Sequence, residues 1–292
     1  MNAFTIRDLE KLSGVKAHTI RIWEQRYSFL RPQRTSTNIR YYSNEELKTI
    51  LNIALLNKYG FKISHIDRMD KDEIRAKILS LNDSQAQLER IVHEMIARMI
   101  DLDIEGFEEL IDQHISTRGI EKAITQLIFP FLEKVGILWQ TEHINPAQEH
   151  LVSNLIRQKL IAGIESCVTR VSMDKTFVLF LPEGEFHELG LLYMYYLLKS
   201  RGARCIYLGA NVPLKDVAFL VGMKKPDILY VHLTSTATSF NFEKFLDGVQ
   251  RQFGHIPTVI SGAVTLHYKK PVPSCVHFKK SLPEVMEYLS AF

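Results

Sequence analysis

At 292 residues, with 46% hydrophobic and 24% charged positions, the chain is long enough for two or three domains with buried cores and has the balance of an ordinary soluble globular protein. It contains no run of 18 or more apolar residues and does not open with the basic-then-apolar layout of a secretory leader, so no membrane association is expected and a cytoplasmic location is. The formal net charge of +3 conceals an asymmetry: residues 1–69 hold 12 Lys and Arg against 6 Asp and Glu, a net of +6, and the remainder carries −3, as a nucleic-acid-binding module on a near-neutral body requires. Cys167, Cys205 and Cys275 are dispersed and lack Cys-x-x-Cys spacing, which predicts buried free thiols rather than disulfides or a zinc site.

Thr5 to Ser13 places Ile6, Leu9 and Leu12 on one helical stripe, with Thr5 as N-cap, Asp8 at the capping-box position and Gly14 as the stop. Lys16 to Arg26 follows as a second short helix, so the order is helix, glycine turn, helix, the layout of a helix-turn-helix. The first turn of that second helix offers Lys16, His18 and Thr19 to a major groove, with Arg21 and Arg26 in reach of base edges or phosphates. Tyr27 to Tyr42 reads as a wing, its return strand at Ile39 to Tyr42; Arg34 and Arg40 are expected on phosphates, and Tyr41 and Tyr42 against the recognition helix or the sugar backbone. Trp23 and Tyr59 read as packing residues. A second capping box at Ser43–Glu46 opens a helix through Tyr59 that Gly60 ends, and Ile63 to Met69 forms a short fourth helix.

This segment resembles the MerR-type winged-helix DNA-binding domain, with Thr5-Ile6, Gly14-Val15, Thr19-Ile20-Arg21, Trp23-Glu24, Arg40-Tyr41-Tyr42-Ser43 and Gly60-Phe61 at that family's landmarks. The resemblance implies that residues 1–69 bind a double-stranded DNA operator, and that the protein is a homo-oligomer, a dimer or tetramer, since symmetric half-sites multiply specificity. Members of the family usually carry a dimerising coiled coil next. Here residues 70–84 are polar without a heptad run and read as a linker or a helix holding two halves apart, so dimerisation must come from elsewhere.

Residues 85–170 show repeated helical stripes and no strand pattern, which predicts a four-helix bundle; Pro130 should kink the third helix or mark an N-terminal turn. Trp139 and the pair Glu149-His150 flank a loop at the end of this region, and on composition alone Trp139 reads as a bundle-core aromatic. From 175 to 292 apolar runs at 177–181, 203–208, 228–233, 258–260 and 276–278 alternate with helical patterns, the signature of a five-stranded parallel Rossmann-like sheet with helices on both faces. The loop after the first of these strands carries Glu185-x-His187-x-x-Gly190. Such loops lie at the carboxyl edge where open sheets bind ligands, and an imidazole there can ligate a metal through one nitrogen while an acidic neighbour orients it through the other. A histidine beside a helix start is ordinarily a solvated or capping residue, so the spacing alone leaves both readings open.

The loop resembles the Asp/Glu-x-His-x-x-Gly signature of cobalamin-binding domains, and Trp139 with Glu149-His150 is similar to the Trp-x9-Glu-His signature of the helical cap in light-responsive MerR-type regulators. The resemblance implies a bound cobalamin, as adenosylcobalamin or methylcobalamin, with cobalt on His187, Glu185 behind it, and Gly190 allowing close approach of the cofactor or of a neighbouring backbone. It implies that Trp139 shields the upper face and that Glu149 and His150 hydrogen-bond the axial group or the corrin edge. Two further loops, which in the family line the tunnel for the cofactor's nucleotide tail, correspond to Thr234-Ser235-Thr236 and Gly262-Ala263; the resemblance implies that Thr234 and Gly262 bind the cofactor there, while Thr236 and Ala263 depart from the pattern. The position after Trp139 holds Gln140 where light-responsive members have a histidine, so no stable two-histidine product of photolysis is expected unless His143 substitutes. The expected function is a DNA-binding transcriptional repressor controlled by cobalamin. The alternatives are a regulator of the same fold that has lost the cofactor and acts through another ligand or protein contacts, and a cobalamin-dependent enzyme subunit, which the basic helix-turn-helix argues against.

Overall fold

The computed structural model describes residues 4–140, 144–168, 173–234 and 240–290, and compactness divides the chain into two units, Met1–Leu155 and Ile156–Phe292. The first unit opens with α1 (Ile6–Ser13), whose Thr5–Asp8 capping box satisfies its first donors and whose end is set by Gly14 at φ +74°. α2 (Ala17–Arg26) buries Ile20 and Trp23 and turns His18, Arg21, Gln25 and Arg26 outward. Strands β1 (Gln33–Arg34) and β2 (Arg40–Tyr41) pair antiparallel through a turn in which Asn38 takes φ +64°. Phe4 and Tyr42 exchange main-chain hydrogen bonds and bury both side chains completely, which fixes the wing to the start of the chain.

The Ser43–Glu46 box caps α3 (Asn44–Lys58), whose Leu47, Ile50, Leu51, Ile53 and Leu56 form the centre of this module. α4 (Ile63–Ile66) is a single turn and stops short of the expected Met69. Of the two readings of residues 70–84, the structure shows the helix: α5 (Lys71–Leu79) starts on an Asp70–Glu73 capping box and packs on α3.

The helical region comprises α6 (Ser84–Asp101), α7 (Ile104–Arg118), α8 (Ile120–Ala123), a π turn (Ile124–Ile128), α9 (Phe129–Gln140) and α10 (Pro146–Glu165), the last of which crosses the boundary between the units. The π turn precedes Pro130. Proline has no N–H to donate and its ring crowds the carbonyl four residues back, so a wider turn, in which Phe129 N–H reaches Ile124 O, keeps the helix running through it. The start of α10 is fixed by the buried Gln148, which donates to Ile100 O at 2.9 Å.

The second unit contains β3 (Met173–Pro182), α11 (Leu189–Ser200), β4 (Ala203–Val212), α12 (Leu214–Lys224), β5 (Ile228–His232), α13 (Phe242–Phe253), β6 (Thr258–Ser261), α14 (Val264–His267), β7 (Val276–Lys279) and α15 (Leu282–Ser290). The strands form a parallel sheet in the order β4-β3-β5-β6-β7. β3 and β4 are each longer than their apolar runs, because their outer ends are only half-buried and carry no clean period. The thiols are unbridged, but only Cys275 is buried; Cys167 and Cys205 are partly exposed. The order reverses between β3 and β5, so the ligand crevice of such a sheet lies outside their carboxyl ends, at Pro182 and His232.

Candidate DNA-binding face and cofactor loop

On α2, positions 18, 21 and 25 fall on one face opposite Ile20 and Trp23, so His18, Arg21 and Gln25 form an exposed row with Arg26 beside it. Gln25 was missed in the sequence because an uncharged amide does not mark a basic face, although it can read an adenine edge. Lys16 is exposed beside Glu10 at 3.4 Å, and Thr19 is half-buried. On the wing, Arg34 is exposed and donates to Asn38 Oδ1 at 2.8 Å. Arg40 is differently placed: its Nε donates to both carboxylate oxygens of Glu24, at 2.9 and 3.1 Å, so it joins the wing to α2. Tyr41 bonds Gln33 across the wing. The Tyr42 ring is in the core, and its hydroxyl is pushed up to about 12 by burial and by the Glu24 charge.

In the first unit Trp139 lies at the end of α9 and is 48% exposed, which removes it from the bundle core that composition suggests. Glu149, in the first turn of α10, sits 3.0 Å from His150 Nδ1 and accepts from Ser153 Oγ; His150 is exposed. The side chain of Gln140, and His143, Ser235 and Thr236, lie outside the described residues.

In the second unit the loop after β3 is built around a buried carboxylate. Glu185 is 2% exposed, and its Oε1 accepts from the N–H groups of Phe186 at 2.9 Å and His187 at 2.8 Å and lies 2.6 Å from His187 Nδ1. Burial opposes its charge, but the hydrogen bonds from the His187 ring and backbone outweigh that and hold Glu185 below the usual carboxylate range. The His187 side chain is 66% exposed. With Nδ1 turned inward to an anion, the geometry of imidazole directs Nε2 away from the loop. Asn211, at φ +58° in β4, fastens the loop from outside: its Oδ1 accepts from Gly184 N at 2.9 Å and its own N–H reaches Glu185 O at 3.0 Å. Phe186, 62% exposed beside His187, adds an apolar surface.

Gly190 makes room for a side chain rather than a backbone. A Cβ at 190 would overlap the imidazole of His232, with Cγ at 3.0 Å and Cδ2 and Nε2 closer still. His232 Nδ1 lies 2.8 Å from Ser261 Oγ, which lies 2.7 Å from Tyr230 Oη. Desolvation pushes His232 down to about 4, against the opposing pull of the Glu185 charge. Gly262, at φ +98°, lets the Leu233 main chain approach so closely that a Cβ would overlap its carbonyl, and this joins the loops after β5 and β6. Thr234 is exposed beyond them, and Ala263 is an exposed helix cap outside the close approach.

Residues 4–73 match the family model for the MerR HTH family regulatory protein, and residues 91–162 match that for the B12 binding domain. Over 269 residues the chain is 26% identical to the HTH-type transcriptional repressor CarA of Myxococcus xanthus, covering 91% of this chain and 89% of that protein. It is also 26% identical over 267 residues to the repressor CarH of the same organism, covering 89% of each. Among solved structures it is similar in fold to the Methanosarcina barkeri monomethylamine corrinoid protein, with a TM-score of 0.57 at 13% identity over 70% of this chain and 99% of that one.

Proposed function

We propose that this chain, which joins a MerR HTH module to a B12-binding body and is homologous to the CarA and CarH repressors, is a transcriptional repressor whose hold on DNA is linked to cobalamin. The observation that carries the reading is the Glu185–His187 pair: a buried carboxylate holding an exposed imidazole by one nitrogen, in the loop beside the sheet's ligand crevice. The donor set fits a corrinoid. His187 Nε2 would supply a nitrogen ligand to the cobalt, Glu185 would fix the ring and strengthen it as a donor, and Phe186, Thr234 and Gly262 would be further contacts of the cofactor. Cobalamin when bound supplies a cobalt centre and an axial carbon group. Trp139, Glu149 and His150 are further candidates for contact with the cofactor.

The module at residues 1–69 binds duplex DNA as part of a dimer or tetramer, with His18, Arg21, Gln25 and Arg26 facing the groove and Lys16 and Arg34 the phosphates. Among the described residues no helix is long and apolar enough to cross a membrane. The protein acts without a catalytic step of its own, since DNA-binding, helical and cofactor modules account for the chain. Because a neutral amide is a poor ligand for oxidised cobalt, Gln140 supports a regulator that answers to cobalamin supply, with light secondary.

The test is to purify the full chain with adenosylcobalamin in the dark, record its spectrum before and after illumination, and measure binding to a selected operator with and without the cofactor. A histidine-ligated spectrum and a cofactor-dependent shift in operator affinity are expected. Operator binding by a protein that retains no corrinoid would select the reading in which the fold has lost its cofactor.

A further inference from the structure

If His187 is the axial ligand, the base that cobalamin carries on its own nucleotide tail is displaced on the same side of the ring. That tail then needs a slot in the second unit. In an open parallel sheet the slot on offer is the crevice outside the carboxyl ends at the switch point, between β3 and β5. Here the crevice holds protein. The ring of His232, the last residue of β5, lies against Gly190 at the start of α11 so closely that not even a methyl group fits between them. It is tied there through Ser261 Oγ at 2.8 Å, which is tied at 2.7 Å to the hydroxyl of Tyr230. Tyr230 is fully buried and Ser261 is 3% exposed, so the ring has a fixed anchor and moving it would break a buried network.

We propose that His232 closes this crevice to the nucleotide tail, so that the site selects for the corrin ring and not for the tail, and takes a tail-less corrinoid of the cobinamide type at least as tightly as cobalamin. The proposal rests on the cofactor reading above and concerns the ligand class of the same site. The His187 side chain is left open by the closure: it is 66% exposed, while the closing ring packs against Gly190 at the start of α11.

The experiment titrates the full chain separately with aquocobalamin and diaquocobinamide, read by absorption and checked by calorimetry. Equal affinity, or tighter binding of cobinamide, is expected. Cobalamin binding at least about tenfold tighter than cobinamide would overturn the closure while leaving the cofactor reading intact. Cobinamide binding that survives His187→Ala would also overturn it, because it would not be at this site. His232→Gly, which empties the crevice, should shift the affinity ratio toward cobalamin by about tenfold, with His232→Ala shifting it in the same direction and guarding against a folding defect in the glycine variant. An unchanged ratio in both variants, with melting curves like the parent's, removes His232 from the role. Binding of neither corrinoid by the parent defeats the cofactor reading and this proposal together.

Discussion

Two carboxylates, Glu24 on the recognition helix and Glu185 in the β3 loop, each hold a basic side chain, and they put it to opposite uses. Glu24 draws Arg40 inward with both of its oxygens on Nε, and the pair is only 29% and 13% exposed, so the arginine becomes a strut between wing and helix. Glu185 holds His187 by one nitrogen and leaves the ring 66% exposed, so the histidine becomes an aimed donor. The difference lies in the partner. Imidazole has two nitrogens on opposite edges, and restraining one fixes the direction of the other, whereas a guanidinium held at Nε is pulled into the scaffold. His93 on α6 shows what an imidazole becomes without such a carboxylate: its Nδ1 is buried with no hydrogen-bond partner among the described residues, and desolvation, with the charges of Lys134 and Lys58, pushes it down to about 3.

The comparison breaks first at His187. His187→Ala should lower corrinoid affinity by more than about 100-fold, so that nothing coloured survives gel filtration, whereas Glu185→Gln should cost only about 10- to 100-fold because the ligand remains and only its orientation is loosened. Equal losses in the two variants would remove the distinction between donor and holder. The next largest effect belongs to His93, whose folded pKa of about 3 lies below its ordinary 6.5. The folded state prefers the neutral ring, so its contribution is complete above about pH 6.5 and is lost as pH falls toward 3; denaturant curves should show a fall on the order of 3 kcal/mol between pH 7 and 4, flattened in His93→Phe. Arg40→Ala should destabilise the first unit by about 1–3 kcal/mol by leaving Glu24 without its charged donor, a loss visible as a lower Tm before any DNA is added. Smallest in stability is Arg21→Ala: Tm should hold within about 0.5 kcal/mol while operator affinity falls by about 1–3 kcal/mol. A lowered Tm in Arg21→Ala with full DNA affinity would reverse the roles given to the two arginines.

What was legible in the sequence is what physical chemistry writes locally. The Thr5–Asp8 and Ser43–Glu46 capping boxes, the Gly14 stop and the alternation of strands and helices after residue 175 each depend on neighbours a few positions apart, and they stand where their spacing put them. The Glu185–His187 bond was legible for the same reason, being two residues long. Contacts between distant positions were not. Nothing near Arg40 announces Glu24, nothing near Gly184 announces Asn211, and Gly190 gives no sign that its neighbour is a histidine 42 positions on. Trp139 was ambiguous because an indole has the same hydropathy inside a bundle as at its rim. The π turn before Pro130 is hidden because a widened helical turn changes no residue type.

The amine of Lys134 on α9 donates to the carbonyl of Leu12 at the end of α1, at 2.6 Å, and burial holds that amine below its ordinary pKa. Five residues further along the same helix stands Trp139. One helical rod therefore touches the DNA-reading module at α1 and carries the proposed cofactor contact near its end. Were a ligand at Trp139 to move this rod, thermodynamic reciprocity would require the operator to act back on the ligand by the same factor. Bound DNA would then set how tightly the protein keeps its cofactor, and a promoter would hold a share in the decision that the cofactor conveys.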